Sequence, residues 1–296
     1  LITTTGATFT GNIATKGITS VTLGTGNFVA GSNAGNSITS GGNYNTTIGE
    51  EAGTAITTGY NNTVVGNLAG SSITTSADNV SVGDRSLKSN TTGGSNTTIG
   101  TASLENNTTG TSNVASGWGA LRANTTASSN TAIGTNTLYA NTTGAENVAI
   151  GQGALSANTT ASYNVAVGRN ALDLNTTGSN NTSVGSFALG ANTTGSENAA
   201  SGYQSLQSNT TASSNTAFGS RSLKAATTGD LNTAVGRNAL SETTTGRRNT
   251  SIGYLAGTTN TTGQYNTFLG YYARGTSASQ ENGVVIGYDV VGEGGY

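Results

Sequence analysis

From Asn45 onward the chain runs through the same order of polar, small and apolar positions every 17 residues. A glycine marks each pass. Fifteen of them fall 17 apart without a slip, from Gly49 through Gly134, Gly151 and Gly168 to Gly287, and Gly31 precedes them by 18. With the Asn four places before each glycine taken as position one, the glycine is position five. Position four is Ile or Val in eleven of the fifteen units, among them Ile133, Ile150 and Val167. Position two alternates between Thr and Val (Thr131, Val148, Val165). Position nine is Leu in ten successive units, including Leu138, Leu155 and Leu172, and Ala or Ser nearly always precedes it. Asn130, Asn147 and Asn164 belong to a position-one column that runs from Asn45 to Asn266 without a gap.

Apolar residues at positions two and four have the period of a strand with one buried face. The glycine that follows permits a bend that a Cβ would obstruct. A second short strand then carries the Ala-Leu pair back, and Asn-Thr-Thr-Gly segments such as Asn90–Gly93, Asn141–Gly144 and Asn175–Gly178 close the unit with turn chemistry. Each unit is thus expected to form one coil of a parallel β-solenoid. The fourteen intervals from Gly49 to Gly287, at ~4.8 Å each, give a rod of roughly 67 Å. Between Asn45 and Val291 almost every charge, as at Asp84, Arg85, Asp173 and Arg247, keeps to positions six, seven, ten, eleven, sixteen or seventeen. Arg274, at the leucine position, departs from this. Since an unpaired charge is costly to bury, the distribution supports placing positions two, four and nine inside. The Asn column reads as a ladder of amides bonded from coil to coil. Helices are excluded by the density of glycine and β-branched residues.

Composition narrows the function. Of 296 residues only 8% are charged and 33% hydrophobic; there are 45 glycines and no Pro, Cys, Met or His. A disulfide framework is therefore excluded. The net charge of −2, with no basic stripe, points away from nucleic acid. No apolar run approaches the ~20 residues that span a bilayer, so membrane insertion is not expected in this segment. The chain opens on Leu1 and reads as an internal fragment of a longer polypeptide, with a β-rich lead-in (1–26), a repeat shaft (27–291) and a junction (292–296). One narrow coil offers few large side chains to offset the ordering of 17 residues, so neighbouring copies are expected to cover a second face, as a homotrimer.

The unit Asn-Thr/Val-Ala-Val/Ile-Gly-x-x-Ala-Leu resembles the head repeats of trimeric autotransporter adhesins, which are left-handed parallel β-rolls assembled as trimers. With its longer Asn-Thr-Thr-Gly loop it looks more like the repeats of phage tail fibres, a group in which a C-terminal chaperone domain often trimerises the chain and cuts itself off. The segment Glu281–Tyr296 is similar to the point where such repeats stop, and the opening TTTGATFTGNIATKGITS to their lead-in. The resemblance implies an extracellular location on a virion tail or cell surface.

Candidate chemistry is sparse. Without His or Cys the usual general bases, thiol nucleophiles and soft-metal ligands are missing, so no enzyme, metal site or cofactor is expected. Glu50-Glu51, the only adjacent acidic pair, reads as solvated edge. Trp118, Tyr203, Tyr254, Tyr271, Tyr272 and Tyr288 all fall at position six or seven and are the best candidates for stacking on a sugar or a receptor. Ser116 and Ser201 replace the position-four aliphatic, and Trp118 and Tyr203 are expected to fold over the core thinned there. The Asn column from Asn90 to Asn209 also matches Asn-x-Thr glycosylation acceptors. The leading reading is the shaft of an extracellular attachment fibre, of the phage tail type. A bacterial surface adhesin binding matrix or glycans through the repeat flank is the alternative, and an ice-binding array of Thr91, Thr108, Thr125 and Thr142 a distant third.

Overall fold

A computed structural model describes residues 24–292. These form sixteen three-residue strands, from β1 (Phe28–Ala30) to β16 (Val284–Ile286), one per coil at positions two to four. All sixteen lie in a single parallel sheet in sequence order, so the chain is an all-β parallel solenoid. The register advances by one unit per coil. Thr131, Ala132 and Ile133 of β7 (Thr131–Ile133) pair with Val148, Ala149 and Ile150 of β8 (Val148–Ile150). The irregular first step sets Phe28 against Thr46, 18 residues on. No helix occurs among the described residues. The expected lead-in and junction fall mostly outside them.

Two expectations are corrected. The first is which way the strand faces. Its middle residue, position three, points into the core: Ala132, Ala149 and Ala166 are fully buried, while Ile133 and Ile150 at position four are exposed. The core is thin, and wherever position nine is leucine the strand residue opposite it is only Ala, Ser or Thr. Charge placement could not reveal the inversion, because both faces of the strand are free of charge. The second correction concerns the Ala-Leu segment, which is a run of turns and not a strand. Leu138, Leu155 and Leu172 sit at φ 50, 52 and 52, in the left-handed region, and are fully buried. That conformation costs an L-residue about 1–2 kcal/mol. Complete burial of a leucine contributes about 1.5–3 kcal/mol, which holds it there.

Backbone ladders continue through the turns. Leu155 N–H donates to the Ala171 carbonyl at 3.0 Å, and Thr142 N–H to the Thr159 carbonyl at 2.9 Å. The position-five glycines are required by both conformation and space. Gly151 has φ 124, and a Cβ on it would lie 2.7 Å from the carbonyl oxygen of Gly168 in the next coil. Coils can stack this closely because that atom is missing.

Near the N-terminal end the core is filled differently. Gly35, Gly53 and Gly70 occupy position nine with φ 51, 56 and 49, and buried Ile38, Ile56 and Ile73 enter from position twelve. A Cβ on Gly53 would stand 2.7 Å from Cδ1 of Ile56. At the other end Phe268, fully buried at position three, takes up the space beside Gly257. Arg274 there turns outward to Asp289 (3.1 Å) and the ring of Tyr272.

Candidate interaction faces

Two asparagine columns are interior scaffolding. Asn147 donates its backbone N–H (3.0 Å) and Nδ2 (3.2 Å) to Oδ1 of Asn130, and the same Nδ2 donates to the Ala161 carbonyl at 2.9 Å. Asn164 repeats the first two bonds onto Asn147. Every member from Asn45 to Asn266 is buried, and Gly283 N–H donates to the last carbonyl. The second column, at position twelve, runs from Asn90 to Asn209: Asn107 Nδ2 donates to Asn90 Oδ1 and to the Gly110 carbonyl. These side chains are fully buried and bonded, so the folded rod offers no glycosylation acceptor along that column.

The other predicted residues are spread over the repeat. Ile133, Ile150 and Val167 lie on the outer sheet face, Leu138, Leu155 and Leu172 in the core, and Gly134, Gly151 and Gly168 at the bend. Trp118 and Tyr203 are about half exposed and cover no thinned core. Ser116 and Ser201 are at the outward-facing position four, and Leu121 and Leu206 below them remain fully buried. The expectation failed because it inherited the inverted strand face. Tyr203 lies under the guanidinium of Arg221.

Tyr254, Tyr271 and Tyr288 do come together, with ring centroids 5.3 and 4.9 Å apart and interplanar angles of 18° and 13°; Tyr272 is tilted against Tyr271. Rings stacked on one another present edges and hydroxyls to solvent. Tyr254 and Tyr271 therefore have little free face on which a sugar could lie, and Arg237 sits over Tyr254 as well. The threonines of the proposed ice-binding array are half-buried, and each of Thr91, Thr108, Thr125 and Thr142 donates its hydroxyl to the carbonyl of the threonine one coil on.

The ion pairs of the described residues lie outside the core, two of them on a Glu105 that is itself buried. Glu105 accepts from Arg122 Nε at 2.7 Å and from Arg85 at 3.5 Å, and Arg122 also donates to the Tyr139 hydroxyl. The hydrogen bond to Glu105, then that to Tyr139, raise the Arg122 pKa above its usual value. Among the described residues no group of three or more His, Cys, Asp or Glu is placed to hold a metal ion, and no helix is long and apolar enough to cross a membrane.

The surface that sequence reasoning missed is the outer face of the sheet. Positions two and four of every strand from β2 (Thr46–Ile48) to β16 carry no Asp, Glu, Lys or Arg. Ile99 is 49% exposed, and Ile133, Ile150, Val184, Ile252 and Leu269 all stand open to solvent. The signal was present in the repeat, as an aliphatic column at position four and a Thr/Val column at position two flanking a column of small residues. Fold and surface thus define a parallel β-solenoid of about fifteen 17-residue turns with one continuous charge-free face, rich in Ile, Val and Thr. No family model matches the sequence, and comparison with curated proteins and with solved structures found no match.

Proposed function

We propose that this rod is the shaft of an extracellular attachment fibre of the phage tail type, self-associated as a homotrimer along its sheet face. The observation that supports the reading is the unbroken charge-free stripe. Along it the position-four column exposes Ile99, Ile133, Ile150, Val184, Phe218 and Ile252, and large contiguous apolar patches are uncommon on monomers and mark surfaces that bind something. Fifteen intervals of ~4.8 Å give a stripe of about 72 Å, and three residues at ~3.3 Å give it a width of about 10 Å. The resulting area of roughly 700 Å2 per copy is close to the ~800 Å2 that each partner contributes to a standard stable interface. A second copy of the same chain suits such a face, because an uncharged stripe is complementary to itself and every coil can be covered at once.

Light scattering on the purified chain tests this, with Ile150→Asp as the probe. Ile150 is outward-facing, so the coil keeps its core and its circular dichroism. The wild-type mass is expected to be three chains and that of Ile150→Asp one. A monomeric wild type, or a variant whose mass does not change, overturns the proposal.

A further inference from the structure

A periodic face poses a problem that a single coil does not. Sliding one copy along another by one coil replaces Ile and Val by Ile and Val, so most of the stripe gives no preference for one axial register over the next. Register is well specified only where side chains break the repeat. The strongest break lies at two adjacent strands. The outward side chains of β11 (Ala199–Ser201) are Ala199 and Ser201, a smaller pair than on any neighbouring strand. The next strand, β12 (Thr216–Phe218), ends in Phe218, which is 62% exposed and larger than any other position-four residue. Between Val184 and Phe218 the face sinks into a shallow apolar depression floored by Ala199, Ala200 and Ser201.

We propose that Phe218 and the depression beside it fix the axial register between copies, with equal positions at equal height. This rests on the self-association argued above and goes beyond it by naming what sets the alignment. In that register the Phe218 rings of the copies meet at one level, and the space left at Ser201 one coil away accepts their excess bulk. A one-coil shift that seats Phe218 over a partner's Ser201 drives that partner's Phe218 against Val235 of the first copy. Such an offset contact also fails to close into a ring. The opposite one-coil shift is the same arrangement with the copies exchanged, and a two-coil shift sets the rings on Val184 and Ile252 and leaves the depressions unfilled. An antiparallel pair that covered the whole stripe would bring Phe218 onto β5 (Thr97–Ile99), beside β6 (Val114–Ser116), where Val114 leaves less room than Ala199 does.

The chain has no cysteine, so introduced thiols report alignment cleanly. Chains carrying Ile150→Cys and Val167→Cys, one coil apart, are co-expressed and oxidised. Equal-position disulfides (150 to 150, 167 to 167) are expected to exceed the offset 150-to-167 product several-fold. The same experiment in a Ser116→Ile/Ser201→Ile/Phe218→Ile background, which makes position four aliphatic in every strand from β2 to β16, should keep the trimeric mass and raise the offset product to a similar yield. All three replacements are on the outer face, so the coils fold as before. A trimer whose offset product is already abundant with native Ser201 and Phe218 overturns this inference while leaving self-association intact. So does a uniform stripe that keeps strict alignment. A monomer in light scattering overturns self-association, and the register proposal falls with it.

Discussion

The three coils nearest the N-terminus and the ten that follow enclose the same core by opposite means. In the first group position nine is glycine (Gly35, Gly53, Gly70), and isoleucine enters from position twelve. In the second, leucine fills the core from position nine, from Leu87 to Leu240, and position twelve is released to carry the buried Asn column in eight of the ten. Glycine adopts the left-handed turn at no steric cost, whereas each leucine there is strained. The second arrangement compensates by burying the leucine and by linking coils through amides such as Asn107 to Asn90. Position-five glycines and position-one asparagines are common to both. The frame that sets coil height is therefore separable from the side chain that fills it, and either filling is accommodated by the same turn.

The boundary between the groups offers the sharpest test. Leu87→Gly opens a cavity and is expected to cost about 3 kcal/mol. Asn90→Ile alone crowds the Leu87 side chain and removes the acceptor of Asn107. Together they rebuild the first arrangement one coil further on, where only one rung of the ladder is lost. The double variant should recover most of the loss, with a coupling of about 2 kcal/mol in a double-mutant cycle measured by urea unfolding. Strictly additive costs would show that the two fillings are not interchangeable.

A second test joins what the molecule leaves interrupted. The position-twelve column stops at Asn209, because Ala226 and Thr243 follow, and Oδ1 of Asn209 is buried without a hydrogen-bond partner among the described residues. Asn260, beyond the gap, donates its Nδ2 to the Gly263 carbonyl at 3.3 Å. Ala226→Asn alone moves the unpaired carbonyl one coil along and should change stability little. Ala226→Asn with Thr243→Asn connects Asn209 to Asn260, satisfies the orphan and should stabilise by about 1 kcal/mol, seen as a higher urea midpoint. If the pair is no more stable than the single variant, the ladder does not contribute coil-to-coil bonding in the way its geometry implies.

Much of this was legible in the residues. The 17-residue spacing gave the coil, its parallel stacking and the Asn ladder, because those follow from identical groups recurring at identical heights. The direction of the strand was not legible. A three-residue strand alternates only once, and when its last residue is Ile or Val and its centre is most often Ala, periodicity alone favours the wrong face. The Gly53–Ile56 and Leu87–Asn90 exchange held the missing clue, since it locates the core opposite position nine. The turn conformation of Leu138 and its equivalents was hidden too, because left-handed leucine contradicts local preference and is held there by burial. Tyr254, Tyr271 and Tyr288 were found by their spacing, whereas the loss of their free faces to one another needed coordinates.

The smallest expected effect is electrostatic, at the same boundary. Asp84 accepts from Asn67, in the last glycine-type coil, at 3.0 Å, and from Arg85 at 3.0 Å; Arg85 reaches on to Glu105 in the leucine-type coils. The hydrogen bond from Asn67, then that from Arg85, hold the Asp84 carboxyl below its ordinary pKa of 3.8. A carboxylate with a depressed folded value stabilises fully above its unfolded value, and that contribution is lost as pH falls through the folded one. The side chain is 40% exposed, so water and salt reduce it to a few tenths of a kcal/mol. With no histidine in the chain, no side chain of ordinary pKa titrates between about pH 5 and 8. The urea midpoint should therefore be flat across that range and fall slightly below about pH 4, and Asp84→Asn should remove part of the fall. An unchanged acid limb in Asp84→Asn would mean that the junction between the two kinds of coil is held by packing and backbone ladders alone.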